Sequence, residues 1–308
     1  MKDYEKDIVL FVYRFKIVLS TNIKYLLGNK KYYQVVVKRL VDKGYLRRYK
    51  TKYLMLGQVG KKYIKELGYI YSKPSYKKEY VKRMTTISLL ASLFIGNGIE
   101  FTPSFELKDF THFRTQSRPF IGSIKFNGND YLVYYISKKS SKRFCNSIIY
   151  DFQKEQKYKQ AILFIEDINM IDIKDYAFGS NQFIIFSYPF ENLIYLFREQ
   201  FKIDYRKILD KFGYTNSFIS KWYFCDYETQ NKQFITFLPF IDCEKIYKLM
   251  TFCRENKKYI GNLHIVCSKN VANILNKYFS VLKISIVDFE KYIKEFKIYY
   301  RQEIEILF

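Results

Sequence analysis

From residue 99 onward the chain is punctuated by eight short runs rich in Ile, Phe, Tyr and Val: "GIEFTPSFEL", "FIGSIKF", "DYLVYYIS", "QAILFIED", "QFIIFSYP", "QFITFLPF", "NLHIVCS" and "VLKISIV". Stretches of helical character lie between several of them, at 141–159, 190–211, 242–258, 268–279 and 288–297. This alternation restricts the fold more than any other feature. Strand-like runs this apolar must be covered on at least one face, and interleaved helices supply the cover. The expectation is an α/β domain built on a mixed sheet. "KFNGNDY" adds a local prediction, a hairpin turn centred on Asn127-Gly128.

The first seventy residues have another texture. Ile8, Phe11, Val12, Phe15, Val18 and Leu19 recur at helical spacing and predict a first helix from about 4 to 18. "STNIKYLLG" offers Ser20 or Thr21 as a cap, a short helix and Gly28 as its stop. "NKKYYQVVVKRLVDKG" offers Asn29 as a cap and predicts a third helix that ends at Gly44, with Val36, Leu40 and Val41 inward. "YLRRYKTKYLML" reads as two short strands about a polar turn, and "GQVGKKYIKELG" as a fourth helix. Helix, helix, helix, hairpin, helix is the order of a winged helix-turn-helix. "YSKPSYKKEYVKR", at 71–83, is the best boundary in the chain. The expected organisation is a winged-helix DNA-binding domain at 1–70, a basic linker at 71–86 and a mixed-sheet α/β domain at 87–308, with a subdivision allowed near 215–230. The whole is α+β.

Charge follows this division. The net charge is +23, and residues 1–83 hold 22 Lys and Arg against 6 Asp and Glu, a balance of +16. A field of that sign draws polyanions. Residues 30–56 alone carry nine basic side chains against one acid, Asp42. In a helix-turn-helix the start of the recognition helix faces base edges in the major groove. Here that start is Lys30, Lys31, Tyr32, Tyr33 and Gln34. Gln pairs bidentately with adenine, Tyr bonds a phosphate or packs on a thymine methyl, and the two lysines bond the DNA backbone. Lys38 stands on the next outward turn with Arg39 beside it. Arg47, Arg48, Lys50 and Lys52 line the wing, placed for phosphates or an adjacent minor groove. Duplex DNA suits a groove-reading helix better than RNA does.

With those residues in view, the chain resembles a family. "YYQVVVKRLVDKGYLRRYKTKYLMLGQVGKKYIKEL" is similar to the start of the replication-relaxation family of plasmid and integrative-element proteins, through Leu40, Val41, Gly44, Tyr45, Leu46, Arg47, Arg48, Tyr53, Leu54 and Gly60. "KRMTTISLLASLFIGNGIEFTPSFEL", followed by "RPFIGSIKFNGNDYLVYYISKKSSKRF", is similar in layout to that family's second domain, which resembles the restriction-endonuclease fold. The likeness covers residues 5–165. It implies work on plasmid DNA in replication, origin processing or mobilisation. It also marks a departure. A nuclease of that fold needs an acid after the Pro and a carboxylate-x-Lys on the next strand, to hold a divalent metal at the scissile phosphate. Phe120 follows Pro119, and Tyr134 and Tyr135 stand where acids are wanted, although Lys138 and Lys139 remain. Glu100 or Glu106 is the candidate helix-side acid, and Asp130 a candidate substitute. The site reads as degenerate, with no catalytic residue, metal or cofactor assigned.

Other chemistry is narrowed by what the sequence lacks. His112 and His264 are the only histidines, and no Walker loop, dinucleotide fingerprint or G-x-S-x-G occurs. Five dispersed cysteines with no C-x-x-C pair indicate a reduced, cytoplasmic protein. The longest apolar stretch outside the first helix, "ISLLASLFIG" at 87–96, is shorter than a bilayer span requires. The expected function is sequence-specific binding of double-stranded DNA for a plasmid or other mobile element, in replication initiation, mobilisation or their regulation. Expected partners are DNA, a second copy of the chain, and replication or conjugation proteins, with no membrane. The alternatives are a metal-dependent nuclease or relaxase with a non-standard site, and a ligand-sensing transcriptional regulator.

Overall fold

Thirteen residues wind the first helix, α1 (Asp3–Phe15), because Ile8, Phe11, Val12 and Phe15 fall on one side and are buried. The Glu5 carboxylate accepts the Lys2 backbone N–H at 2.9 Å and closes its first turn. The helix stops at Lys16, whose φ of 63° and ψ of −48° form a γ-turn closed by Ile17 N–H on the Phe15 carbonyl. Such a turn is strained for any residue but glycine, by about 1–3 kcal/mol. It also corrects the expected helix of 4–18: Val18–Leu19 is a strand, β1, paired antiparallel with a strand more than thirty residues away. The computed structural model describes residues 1–28, 32–107, 120–153, 158–176, 182–278 and 283–293.

Next come α2 (Asn22–Leu26) and α3 (Tyr33–Asp42). The latter buries Val36, Val37 and Leu40, each worth about 1.5–3 kcal/mol of burial. Val41, expected inward, is only half-buried. Strands β2 (Leu46–Tyr49) and β3 (Tyr53–Leu56) pair with Leu46 opposite Leu56 and Tyr49 opposite Tyr53, so Lys50, Thr51 and Lys52 form the tip. The three-stranded sheet runs in the order β1-β3-β2. Helix α4 (Gln58–Glu66) follows at once and lies against the start of β2. That approach requires Gly60, since a Cβ there would lie 2.1 Å from the Tyr45 carbonyl oxygen.

Residues 68–77 return over these elements. The Tyr13 hydroxyl donates to the Ile70 carbonyl, Tyr13 and Tyr69 rings sit 5.4 Å apart, and Tyr76 packs on Tyr49 at 5.2 Å. Helix α5 (Lys78–Gly96) is buried on several sides, through Met84, Ile87, Leu90, Ala91, Leu93 and Phe94. It packs on α2 and β1, and a Cβ on Gly96 would meet the Tyr25 carbonyl oxygen at 2.2 Å. The apolar stretch 87–96 is thus a core helix. Among the described residues no helix is long and apolar enough to cross a membrane. Strand β4 (Glu100–Pro103) pairs antiparallel with β5 (Phe120–Phe126), and Asn127 and Gly128, both at positive φ, turn the chain into β6 (Asn129–Ile136).

Contacts divide the chain into two units, Met1–Asp130 and Tyr131–Phe308. The second unit contains the parallel strands β6, β7 (Gln160–Ile165) and β8 (Gln182–Ser187), with α6 (Lys142–Gln153) between the first two. The predicted helix at 190–211 is three pieces: α7 (Glu191–Glu199), a tight turn at Gln200–Lys202, and α8 (Tyr205–Lys211), capped by the Asp204 carboxylate. Short strands β9 (Ser217–Ile219) and β10 (Tyr227–Thr229) run antiparallel to each other, and β10 to β11 (Phe234–Leu238). The two-residue β12 (Ile241–Asp242) pairs antiparallel with β8. Helix α9 (Cys243–Glu255), strand β13 (Leu263–Cys267), helix α10 (Lys269–Tyr278) and strand β14 (Lys283–Ile286) follow, and residues 289–293 are again helical. β11, β13 and β14 are parallel. The protein is therefore mixed α/β, α+β overall, with sheets of mixed orientation.

Candidate nucleic-acid interface

α3 has a period of 3.6, so Val36, Val37 and Leu40 inward place Gln34, Val35 and Lys38 outward. All three are exposed, Val35 at 64%, and Tyr32 just before the helix is 45% exposed. Tyr33 is half-buried, and Gln34 Nε2 reaches its hydroxyl at 3.4 Å. Lys30 and Lys31 lie outside the described residues, as does the cap Asn29. The outward strip is therefore polar and cationic with one apolar interruption, and its acid, Asp42, stands at the far end of the helix.

Arg39 is engaged elsewhere. Its guanidinium bonds the Tyr4 hydroxyl at 2.8 Å and pairs with Glu5 on α1. Glu5 is 4% exposed. Burial pushes its pKa up, but the Lys2 N–H, the Arg39 hydrogen bond and the Arg39 and Lys43 charges outweigh that and hold the carboxyl below its ordinary value. Arg39 ties α3 to α1 and is turned away from the strip.

The hairpin carries the remaining cations. Arg47 and Arg48 are both exposed on β2. Arg47 Nη2 donates to the Tyr76 hydroxyl at 2.9 Å, and Arg48 Nη1 to the Thr51 carbonyl at 2.9 Å. The Lys50 ammonium lies 5.6 Å from the Tyr49 ring centroid and the Lys52 ammonium 5.2 Å from that of Tyr53, and both side chains are exposed at the tip. No salt bridge joins Arg47, Arg48, Lys50, Lys52 or Lys38 to an acid among the described residues. Their charge faces solvent.

Val35 was missed by the sequence reading. Its signal is visible in retrospect: a run of three valines at 35–37 cannot all face one side of a helix, so one of them had to be outward. Tyr76 carried no such signal, because its contact depends on the chain folding back.

Among the described residues the nuclease-like positions form no cluster of three metal-ligating side chains. Pro119 lies outside the described residues, as do His112, Arg114 and Arg118. Glu100 is exposed on β4, and Glu106 is held by a two-point contact with Arg14 at 2.6 and 2.8 Å. Asp130 is exposed. In the second unit Tyr134 is core, while Glu166 accepts the Tyr135 hydroxyl and the Lys138 backbone N–H. Among the described residues no three His, Cys, Asp or Glu side chains converge.

One hydrogen-bonded chain invites a nucleophile reading. Ser285 Oγ lies 2.8 Å from His264 Nε2, and Tyr214 OH lies 2.8 Å from His264 Nδ1. Lys283 Nζ donates to the Tyr214 oxygen at 3.2 Å. Where Tyr214 donates its proton to Nδ1, Lys283 supplies the bond to the Tyr214 oxygen. His264 then carries its proton on Nε2 and donates to Ser285, the wrong tautomer for a base. Burial, together with the Lys283 charge, lowers its pKa to about 4 and keeps it neutral. The chain joins β13, β14 and the end of α8 as a structural link.

Comparison of the sequence with family models and with curated proteins, and of the fold with solved structures, found no significant match.

Proposed function

We propose that residues 1–70 form a winged helix-turn-helix and that the protein binds double-stranded DNA sequence-specifically. Its setting is a plasmid or other mobile element, in replication initiation, mobilisation or their regulation. The observation that carries this reading is an exposed strip at the start of α3 (Tyr32, Gln34, Val35, Lys38) on a helix that packs against β2 of a hairpin whose four cations have no acidic partner among the described residues. The element order helix, strand, helix, helix, strand, strand supports the winged-helix assignment. A helix of this kind enters the major groove, where Gln34 reads adenine and Tyr32 or Val35 packs on a thymine methyl. Arg47, Arg48, Lys50 and Lys52 then follow phosphates or an adjacent minor groove. The placing on a mobile element rests on the family resemblance. The α/β domain at 87–308, in this reading, is a degenerate restriction-endonuclease-like scaffold that contacts a second copy of the chain or replication and conjugation proteins. Two copies on a two-fold site are the usual arrangement for such modules.

The test is selection of duplex DNA from a random pool, followed by anisotropy titrations at several salt concentrations. Six to eight phosphate contacts give a slope of log affinity against log salt of roughly −5 to −7. Gln34→Ala should change which sequence is preferred more than it changes total affinity. Failure to enrich any sequence, or a shallow slope, would remove the reading.

A further inference from the structure

A cavity of about 280 Å³ opens in the first unit between the end of α1 and the start of α5. Tyr80, Met84 and Phe105 are three of its seven lining residues, two of them rings, and the surface the lining exposes is mostly apolar. Its charged lining is Arg14, Lys16 and Arg83 against the single carboxylate of Glu79. These cations are not equivalent. Arg14 is occupied by Glu106, and Arg83 donates to the Ser104 hydroxyl and the Phe120 carbonyl. Lys16 has no carboxylate partner among the described residues. Its ammonium has the ring of Tyr13 at 4.2 Å and that of Tyr71 at 5.6 Å. Burial lowers the pKa of both Lys16 and Arg83. A lysine also occupies the γ-turn at 16, where glycine would fit without strain. A partly buried lysine in the lining of a ring-lined cavity, with no carboxylate partner among the described residues, is the arrangement that binds a flat organic anion.

We infer that this cavity is a binding site for a small aromatic carboxylate, with Lys16 as the anchor of the carboxylate and Tyr80, Met84 and Phe105 around the ring. The volume admits one or two fused rings. Glu79 opposes the charge and sets an upper limit on affinity. This site is independent of the DNA-binding reading.

Calorimetric titration of the full chain with sodium 2-naphthoate tests it, with 2-naphthamide as the neutral analogue of the same shape. The expected result is one-site binding with Kd below about 1 mM. The amide should bind at least about ten-fold more weakly, because it forfeits the charge-assisted bond. Lys16→Gln should lose naphthoate binding by a similar factor, and Glu79→Gln should tighten it. Lys16→Gly removes the ammonium while relieving the γ-turn, so loss of binding there is not loss of fold. Absence of saturation up to about 10 mM, or equal binding of acid and amide, or undiminished binding by both Lys16 variants, overturns the inference.

Discussion

Replacing Gly60 by Ala sets two physical effects against each other. Helix propensity favours the change: Ala is better than Gly inside a helix by about 1 kcal/mol. Packing opposes it. The new Cβ would lie 2.1 Å from the Tyr45 carbonyl oxygen, 3.1 Å from its carbon and 3.2 Å from Leu56 Cδ2. An ordinary contact to a carbonyl oxygen needs about 3.2 Å or more, so α4 and the start of β2 must separate by about 1 Å. The obstacle is backbone, which cannot swing aside as a lysine tip would. Overpacking of this kind costs about 3 kcal/mol, and the net effect is a loss of about 2 kcal/mol. For a unit of this size that lowers Tm by about 8 °C. Thermal unfolding followed by circular dichroism, with hydrogen exchange of α4 and β2, reads both the size and the place. Gly261→Ala is the control, since nothing lies within 4 Å of its Cβ position, and it should stay within about 0.5 kcal/mol. A Gly60→Ala protein as stable as the parent, or more so, would show that α4 does not approach β2 as described.

Three further outcomes are expected. Replacing Arg47 and Arg48 together by Ala should weaken binding on all duplex sequences and flatten the salt slope by up to about 2, measured by anisotropy; an unchanged slope removes the hairpin from the interface. Glu5, held below its ordinary pKa, contributes stability that is present above about pH 4.3 and disappears as pH falls through its depressed folded value. Glu5→Gln should therefore flatten the acid limb of the stability curve, and an identical limb in both proteins rejects the Glu5–Arg39 tie. All five cysteines are free and buried, and burial raises their pKa values, to about 11 for Cys225 and Cys253 and about 12 for Cys267. An aromatic disulfide reagent at pH 8 should label the native protein slowly and the urea-unfolded protein at all five positions.

The readable part of this chain was its local periodicity. The eight apolar runs from residue 99 became β4, β5, β6, β7, β8, β11, β13 and β14, since branched and aromatic residues in short blocks have few other uses. The Asn127-Gly128 turn was legible for the same reason: positive φ at both positions is a property of those two residues. Where the sequence reading fell short, a distant partner had decided. Val18 and Leu19 continue the helical spacing of α1, yet they pair with Leu54 and Tyr53. The three-residue β9 and β10 are too short to show a pattern and exist through their neighbours. The stretch at 71–83 has a linker's composition, but Tyr69, Tyr76 and α5 pack it into the first unit.

The candidate interface divides along the same line. Which residues are cationic, and that they cluster on one helix and one hairpin, follows from the order of residues alone, because a period of 3.6 or 2 assigns each side chain to a face. Which cations remain open to a partner does not. Arg39 and Lys38 are neighbours in the same helix, and only the position of α1 sends one to Glu5 and leaves the other in solvent. The cavity beside Lys16 is likewise made by α1, α5 and Phe105, brought together from separate stretches of chain. Long charged side chains take their partners from whatever surface arrives beside them, and that is settled only when the helices pack.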